Sequence, residues 1–456
     1  MGSSVRELAE KTPTGRDRYI DLLRVASLGT VVAGHWLMAA VTTGDDGRAE
    51  VGNLLAVVPE LQPLTWALQI MPVFFFVGGF SHALSYRSLS RASKSGSGSG
   101  SEGGSVYSAF LRARLQRLLR PTMVFIGVWG AAALALQLLG QGGGLLDVAL
   151  RLVAQPLWFI GIYLAMVAFT PPLLRLHDRW GWGAFGALVA AAGAVDVARF
   201  AFDVPYVAFL NFAFVWLAVH QLGFLRADGK LRLPYVLAGA GLVGAALLVA
   251  LGPYPLSMVG MPGERVSNMA PPTFALLCHG LWLVGAVELL RAPATRWLAR
   301  PRVWRGVVAA NGISMTAFLW HLTAMLGVYG TLLALDVPLP APASAAWWAQ
   351  VPLRLAAAAA LTAALVAAFR RFERPGAVRG PGAPAASGGP TAALGVTLCL
   401  FGVLGLSMVG FGGLLEGRTA MLIAVHVTAP AAVGMALVGW LLVERAGRGA
   451  PGPTAR

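Results

Sequence analysis

An all-α polytopic membrane protein is the fold class this sequence predicts, and three observations predict it. Of the 456 residues, 57% are hydrophobic and only 12% charged, whereas ordinary soluble domains carry about a quarter charged residues. The apolar residues fall into twelve runs long enough to cross a bilayer as helices. Finally, 28 of the 35 Lys and Arg residues lie in the segments that alternate runs put on one side. A soluble fold of this length could not hide so much apolar surface. The formal charge of +15 follows topology, so nucleic acid is not an expected partner and the lipid bilayer is.

The runs lie at roughly 19–41, 63–86, 121–140, 157–176, 181–202, 204–224, 233–251, 272–290, 307–330, 349–369, 391–411 and 420–443. Residues 1–18 are polar, and the first run is long enough to span, so a cytoplasmic segment is expected rather than a cleavable signal. The third run can extend into 145–156, and the fifth carries Asp196 and Arg199. Residues 93–105 read as a flexible Gly/Ser loop. A Gly/Pro/Ala-rich linker, 375–390, divides a ten-helix core (19–374) from a two-helix C-terminal appendage (391–443). A tail, 444–456, follows. The basic bias places both termini in the cytoplasm of a multi-pass protein of the cell membrane. Cys278 and Cys399 both sit in apolar runs and imply no disulfide framework.

Ionisable residues inside a span are functional candidates, because burying them unpaired is costly. The stretch DLLRVASLGTVVAGH, Asp21 to His35, carries three of them. At about 100° per residue, Arg24 and His35 lie roughly 20° apart around the helix and about 16 Å apart along it, with Asp21 on the same stripe. Arg24 is close enough to the inner face to snorkel and to pair with Asp21, whereas His35 is too deep for that. His321, His279 and His426 also fall in or near spans. A shielded histidine can serve as a general base or carry an acyl group. It can equally be a hydrogen-bond donor between helices. No HExxH or close Cys/His set offers a metal site.

Two further segments stand out. RARLQRLLRP places Arg114, Arg117 and Arg120 over one side of a helical turn. Such a cluster satisfies the positive-inside rule, and it also suits a phosphate-rich ligand such as coenzyme A. MPVFFFVGGFSHAL contains Gly78 and Gly79, which permit close approach of a backbone or ligand.

These segments, in this order, resemble the acyltransferase 3 family of integral membrane acyltransferases. Arg24 and His35, with ten residues between them, match the first-helix hallmark of that family. MPVFFFVGGF resembles its second-helix segment, with Gly78 where serine is usual. RLQRLLRP resembles the cytoplasmic arginine motif, QPLWFIGIYL with Trp158 the Leu-Trp-Phe segment, and SMTAFLWHL the late helix bearing His321. SNMAPPTFALL, with Asn268, is similar to an actinobacterial-type branch. The resemblance covers about residues 16–370.

The resemblance implies acyl-CoA, commonly acetyl-CoA, as co-substrate, with no bound cofactor. It also implies a hydroxyl acceptor on a carbohydrate, glycan or secondary metabolite. His35 and Arg24 would be catalytic. Arg114, Arg117 and Arg120 would bind the acyl donor, with either Arg114/Arg117 or Arg117/Arg120 as the contacting pair. Asp21, Gly78, Gly79, His321, His279, Trp158 and Asn268 would line the site. Two rival classes are a twelve-helix secondary transporter and a non-catalytic scaffold. The first lacks a visible inverted repeat and has few acidic residues within spans. The second leaves the Arg24–His35 stripe unexplained.

Overall fold

The computed structural model describes residues 5–13, 15–43, 49–94, 106–261, 264–373, 388–422 and 425–446. Most of the 93–105 loop, the 375–390 linker and the tail beyond Ala446 therefore lie outside the described residues.

Among the described residues, twelve long helices form the body. They are α1 (Arg18–Met38), α2 (Met71–Lys94), α3 (Val106–Leu138), α4 (Pro156–Trp180), α5 (Trp182–Ala201), α6 (Asn211–Ala227), α7 (Pro234–Leu251), α8 (Phe274–Leu289), α9 (Ser314–Ala334), α10 (Ala345–Phe369), α11 (Gly389–Val409) and α12 (Ala429–Ala446). Among the described residues, ten helices are long and apolar enough to cross a membrane. An eleventh is added if α8 and Arg291–Leu298, bent by 49°, count as one span. The remaining long helix, α1, misses that threshold because Asp21, Arg24 and His35 lower its hydropathy. The fold is all-α and polytopic.

Several boundaries differ from the sequence reading, each for a local reason. The first helix stops at Met38 because β1 (Ala39–Thr43) pairs antiparallel with β2 (Ala49–Asn53). The second run begins as a 3-10 turn, Pro59–Leu64, and a short helix, Thr65–Leu68, before α2 starts at Met71. The third helix begins at Val106, fifteen residues early, since the arginine-rich segment is itself helical and leads straight through Pro121. It does not extend into 145–156. Gly140 and Gly143 adopt positive φ, and Gly144–Leu152 is a separate helix. The ninth run splits into Pro301–Asn311 and α9. The start of the twelfth is a hairpin, β3 (Thr419–Leu422) with β4 (Val425–Thr428), where β-branched residues favour strand.

Ion pairs seat α1. Its cap Asp17 accepts from the Tyr19 and Ile20 amides. Arg226 of α6 grips Glu288 of α8 through Nε at 3.0 Å and Asp17 through a terminal nitrogen at 2.9 Å. The Tyr19 hydroxyl donates to the Val287 carbonyl. Helices α2 and α6 cross where a Cβ on Gly79 would stand 2.0 Å from the His220 carbonyl oxygen, and one on Gly223 2.3 Å from that of Phe76. Only glycine fits there. Gly402 of α11 and Gly439 of α12 make the same kind of contact. The last two helices lie on the core: Leu404 presses against Gly161 of α4, and Phe411 packs on Phe125 of α3. Cys278 and Cys399 are buried and unpaired.

Candidate active site

The imidazoles of α1 and α9 meet. His35 Nδ1 stands 3.0 Å from His321 Nε2, with ring centroids 5.0 Å apart. The proton positions follow from the partners. His321 Nδ1 contacts the Phe318 carbonyl oxygen, which can only accept, so this nitrogen carries the hydrogen. In the neutral ring His321 Nε2 is then an acceptor, and His35 Nδ1–H donates to it. The lone pair of His35 is left on Nε2. Trp36 Nε1 donates to the His321 backbone carbonyl at 3.0 Å and locks the two helices at this level. His321 is fully buried. His35 stays exposed, although α1 packs against α2, α9 and α10. Arranged this way, His35 can take a proton.

A cationic cluster lies nearer the start of α1 on the same stripe. Arg24 donates to Asp21 Oδ1 at 3.2 Å and to Ser81 Oγ at 3.0 Å. Arg114 donates to the Ser81 carbonyl at 2.7 Å. Ser81 of α2 thus joins α1 to α3. Asp21 is buried and also takes two bonds from Arg16, at 2.6 and 3.0 Å. Arg117 is exposed and has no ion pair among the described residues. Arg120 instead leans on Glu444 of α12 at 3.8 Å. A groove of about 380 Å³ opens nearby at the end of α2, lined by Leu84, Arg87, Ser90, Arg91 and Lys94.

Between these two clusters lies a chain that the sequence reading passed over. The Tyr163 hydroxyl of α4 is 2.9 Å from His82 Nε2, and His82 Nδ1 is 3.0 Å from His220 Nε2 of α6. His82 follows Ser81 and shares a helix face with Gly78, four residues earlier in the very segment quoted for its glycines. That spacing was the available signal. His220 carried none, because its pairing is purely tertiary.

A family model described as an acyltransferase domain, Acyl_transf_3, matches residues 17–371. The chain belongs to the acyltransferase 3 family. No curated protein and no solved structure matches it. The matched range takes in both clusters and ends at the close of α10, two residues past Phe369.

Within this acyltransferase the remaining candidates do different work. Gly78 is buried, yet a Cβ there would meet Tyr163 Cε2 at 3.7 Å and His82 Cε1 at 3.8 Å, so the position has room for the serine usual in the family. Gly79 is a helix-crossing residue, set against the His220 carbonyl. Trp158 is half-buried beside Phe159. His279 bonds to the Trp66 carbonyl at 2.9 Å. Asn268 donates to the Pro255 and Ser257 carbonyls at 2.8 and 2.9 Å and accepts from Thr273. Asn268 ties down the α7–α8 connection, His279 ties α8 to the segment before α2, and neither is brought to His35. His426 sits exposed in β4.

Proposed function

We propose that this membrane acyltransferase moves an acyl group, acetyl in the simplest case, from cytoplasmic acyl-CoA to an acceptor hydroxyl. The acceptor is a carbohydrate, glycan or secondary metabolite, and both termini face the cytoplasm of the cell membrane. The observation that carries this reading is the His35–His321 imidazole pair, 3.0 Å apart, with His35 on the helix that also bears Arg24. Donor phosphates dock on Arg114 and Arg117. Arg120 is already engaged by Glu444, which favours the inner pair. Arg24 stands about 16 Å along the helix from His35, too far to share one reacting atom, so it joins the donor-binding cluster. Asp21 fixes its direction.

The donor arm then spans that distance and brings its thioester to His35. Nε2 takes the proton of the acceptor hydroxyl as its oxygen attacks the thioester carbonyl. The carbon–sulfur bond breaks, and the departing thiolate recovers the proton from the imidazolium. Meanwhile the bond from Nδ1–H to His321 strengthens as positive charge develops on His35.

Purified protein given labelled acetyl-CoA and a cell extract should release free thiol and label a product heavier by one acyl unit. No thioester cleavage by folded protein would contradict the reading. Accumulation of a solute in sealed vesicles without cleavage would support a carrier instead.

A further inference from the structure

The Tyr163–His82–His220 chain admits two proton arrangements. If Tyr163 donates to His82 and His82 to His220, the last proton sits on His220 Nδ1. That atom is buried and has no partner among the described residues. The reverse arrangement runs from His220 Nε2–H to His82 Nδ1, and from His82 Nε2–H to the Tyr163 oxygen. It leaves only an unmet lone pair on His220, which is a cheaper defect than a buried orphan N–H. In that arrangement the Tyr163 hydroxyl proton is free to donate elsewhere.

Its position says where. Inward, His82 adjoins Ser81, the residue that receives Arg24 and Arg114. Outward, Phe159, one turn before Tyr163, packs on Phe318 with centroids 4.9 Å apart. Phe318 is in turn 5.7 Å from the His321 ring. Tyr163 therefore stands partway between the arginine cluster and the histidine pair, and it is itself partly exposed. Resting on the acyl-CoA reading above, we propose that Tyr163 donates a hydrogen bond to a carbonyl oxygen on the arm of the acyl donor, and that His82 and His220 are positioning residues that turn its proton outward.

Removing only the hydroxyl tests this. Tyr163→Phe should raise KM for acetyl-CoA about five- to tenfold, with kcat and thermal stability little changed. S-acetylpantetheine keeps the arm but lacks the nucleotide phosphates. Tyr163→Phe should raise its KM by the same factor, whereas Arg114→Gln should weaken acetyl-CoA alone. His220→Gln keeps an N–H for His82 and should stay near wild type. His220→Leu should copy Tyr163→Phe. An unchanged KM for both donors, or a loss confined to kcat, overturns the proposal while leaving the acyl-CoA reading intact. A wild type that cleaves neither donor overturns both.

Discussion

A histidine that commits one nitrogen to a neighbour has only the other left for chemistry, and the choice of neighbour decides which one that is. His321 makes this choice for His35. Its Nδ1 is held by the Phe318 carbonyl, so a substitution that removes the ring should disorder the base without touching the donor site. His321→Phe is expected to lower the rate of acyl transfer roughly 10- to 100-fold, with KM for acetyl-CoA unchanged, as steady-state kinetics would show. A matching fall in donor affinity would contradict that division of labour. Gly78→Ser should leave folding and activity near wild type in thermal-shift and turnover measurements, because its Cβ makes only ordinary contacts. The Arg24–His35 stripe was legible in the sequence, since helical spacing within one segment needs no tertiary knowledge. The Tyr163–His82–His220 chain joins three helices, so only the fold brings it together.

At the scale of elements, helix crossings and helix ends carry the account. Gly79 and Gly223 let α2 and α6 approach until their backbones touch. Gly79→Ala should cost about 3 kcal/mol or more, because its methyl group would meet a carbonyl rather than a movable side chain. Thermal unfolding in detergent measures this, and an unshifted midpoint would contradict it. The C-terminal ends of α2, α4 and α6 are pinned by Asp228. It takes Arg87, His177 Nε2–H at 2.9 Å and Lys230 at 3.1 Å. Burial alone would raise the Asp228 pKa, but the hydrogen bonds from Arg87, His177 and Lys230 outweigh it and hold the carboxyl below its ordinary range. A depressed folded-state pKa adds stability above the unfolded value of about 3.9 and loses it as pH falls further. Wild-type thermal stability should therefore drop more steeply than that of Asp228→Asn below about pH 4. Parallel curves would refute the pinning role. Hydropathy located every long helix but not its ends. The β3–β4 hairpin is as apolar as a helix start, and the arginines of α3 hide a helix that begins well before its apolar part.

For the whole molecule, the family match ends at residue 371, yet α11 and α12 are packed on α3 and α4. Leu404 fills the space at Gly161, and Glu444 faces Arg120. A chain ending at residue 387 should therefore unfold at a lower temperature and lose monodispersity in detergent. Retention of full stability would make the last two helices a dispensable addition. Composition alone revealed the polytopic class, because no soluble fold could bury this much apolar surface. The packing of the last two helices on the core was not legible, since it depends on glycine contacts with partners hundreds of residues away. The central claim is that one exposed imidazole on α1 performs the transfer. It is tested most directly by the rate of thioester cleavage from labelled acetyl-CoA by His35→Ala protein shown to be folded. A fall of at least about 100-fold is expected, and an undiminished rate would contradict the account.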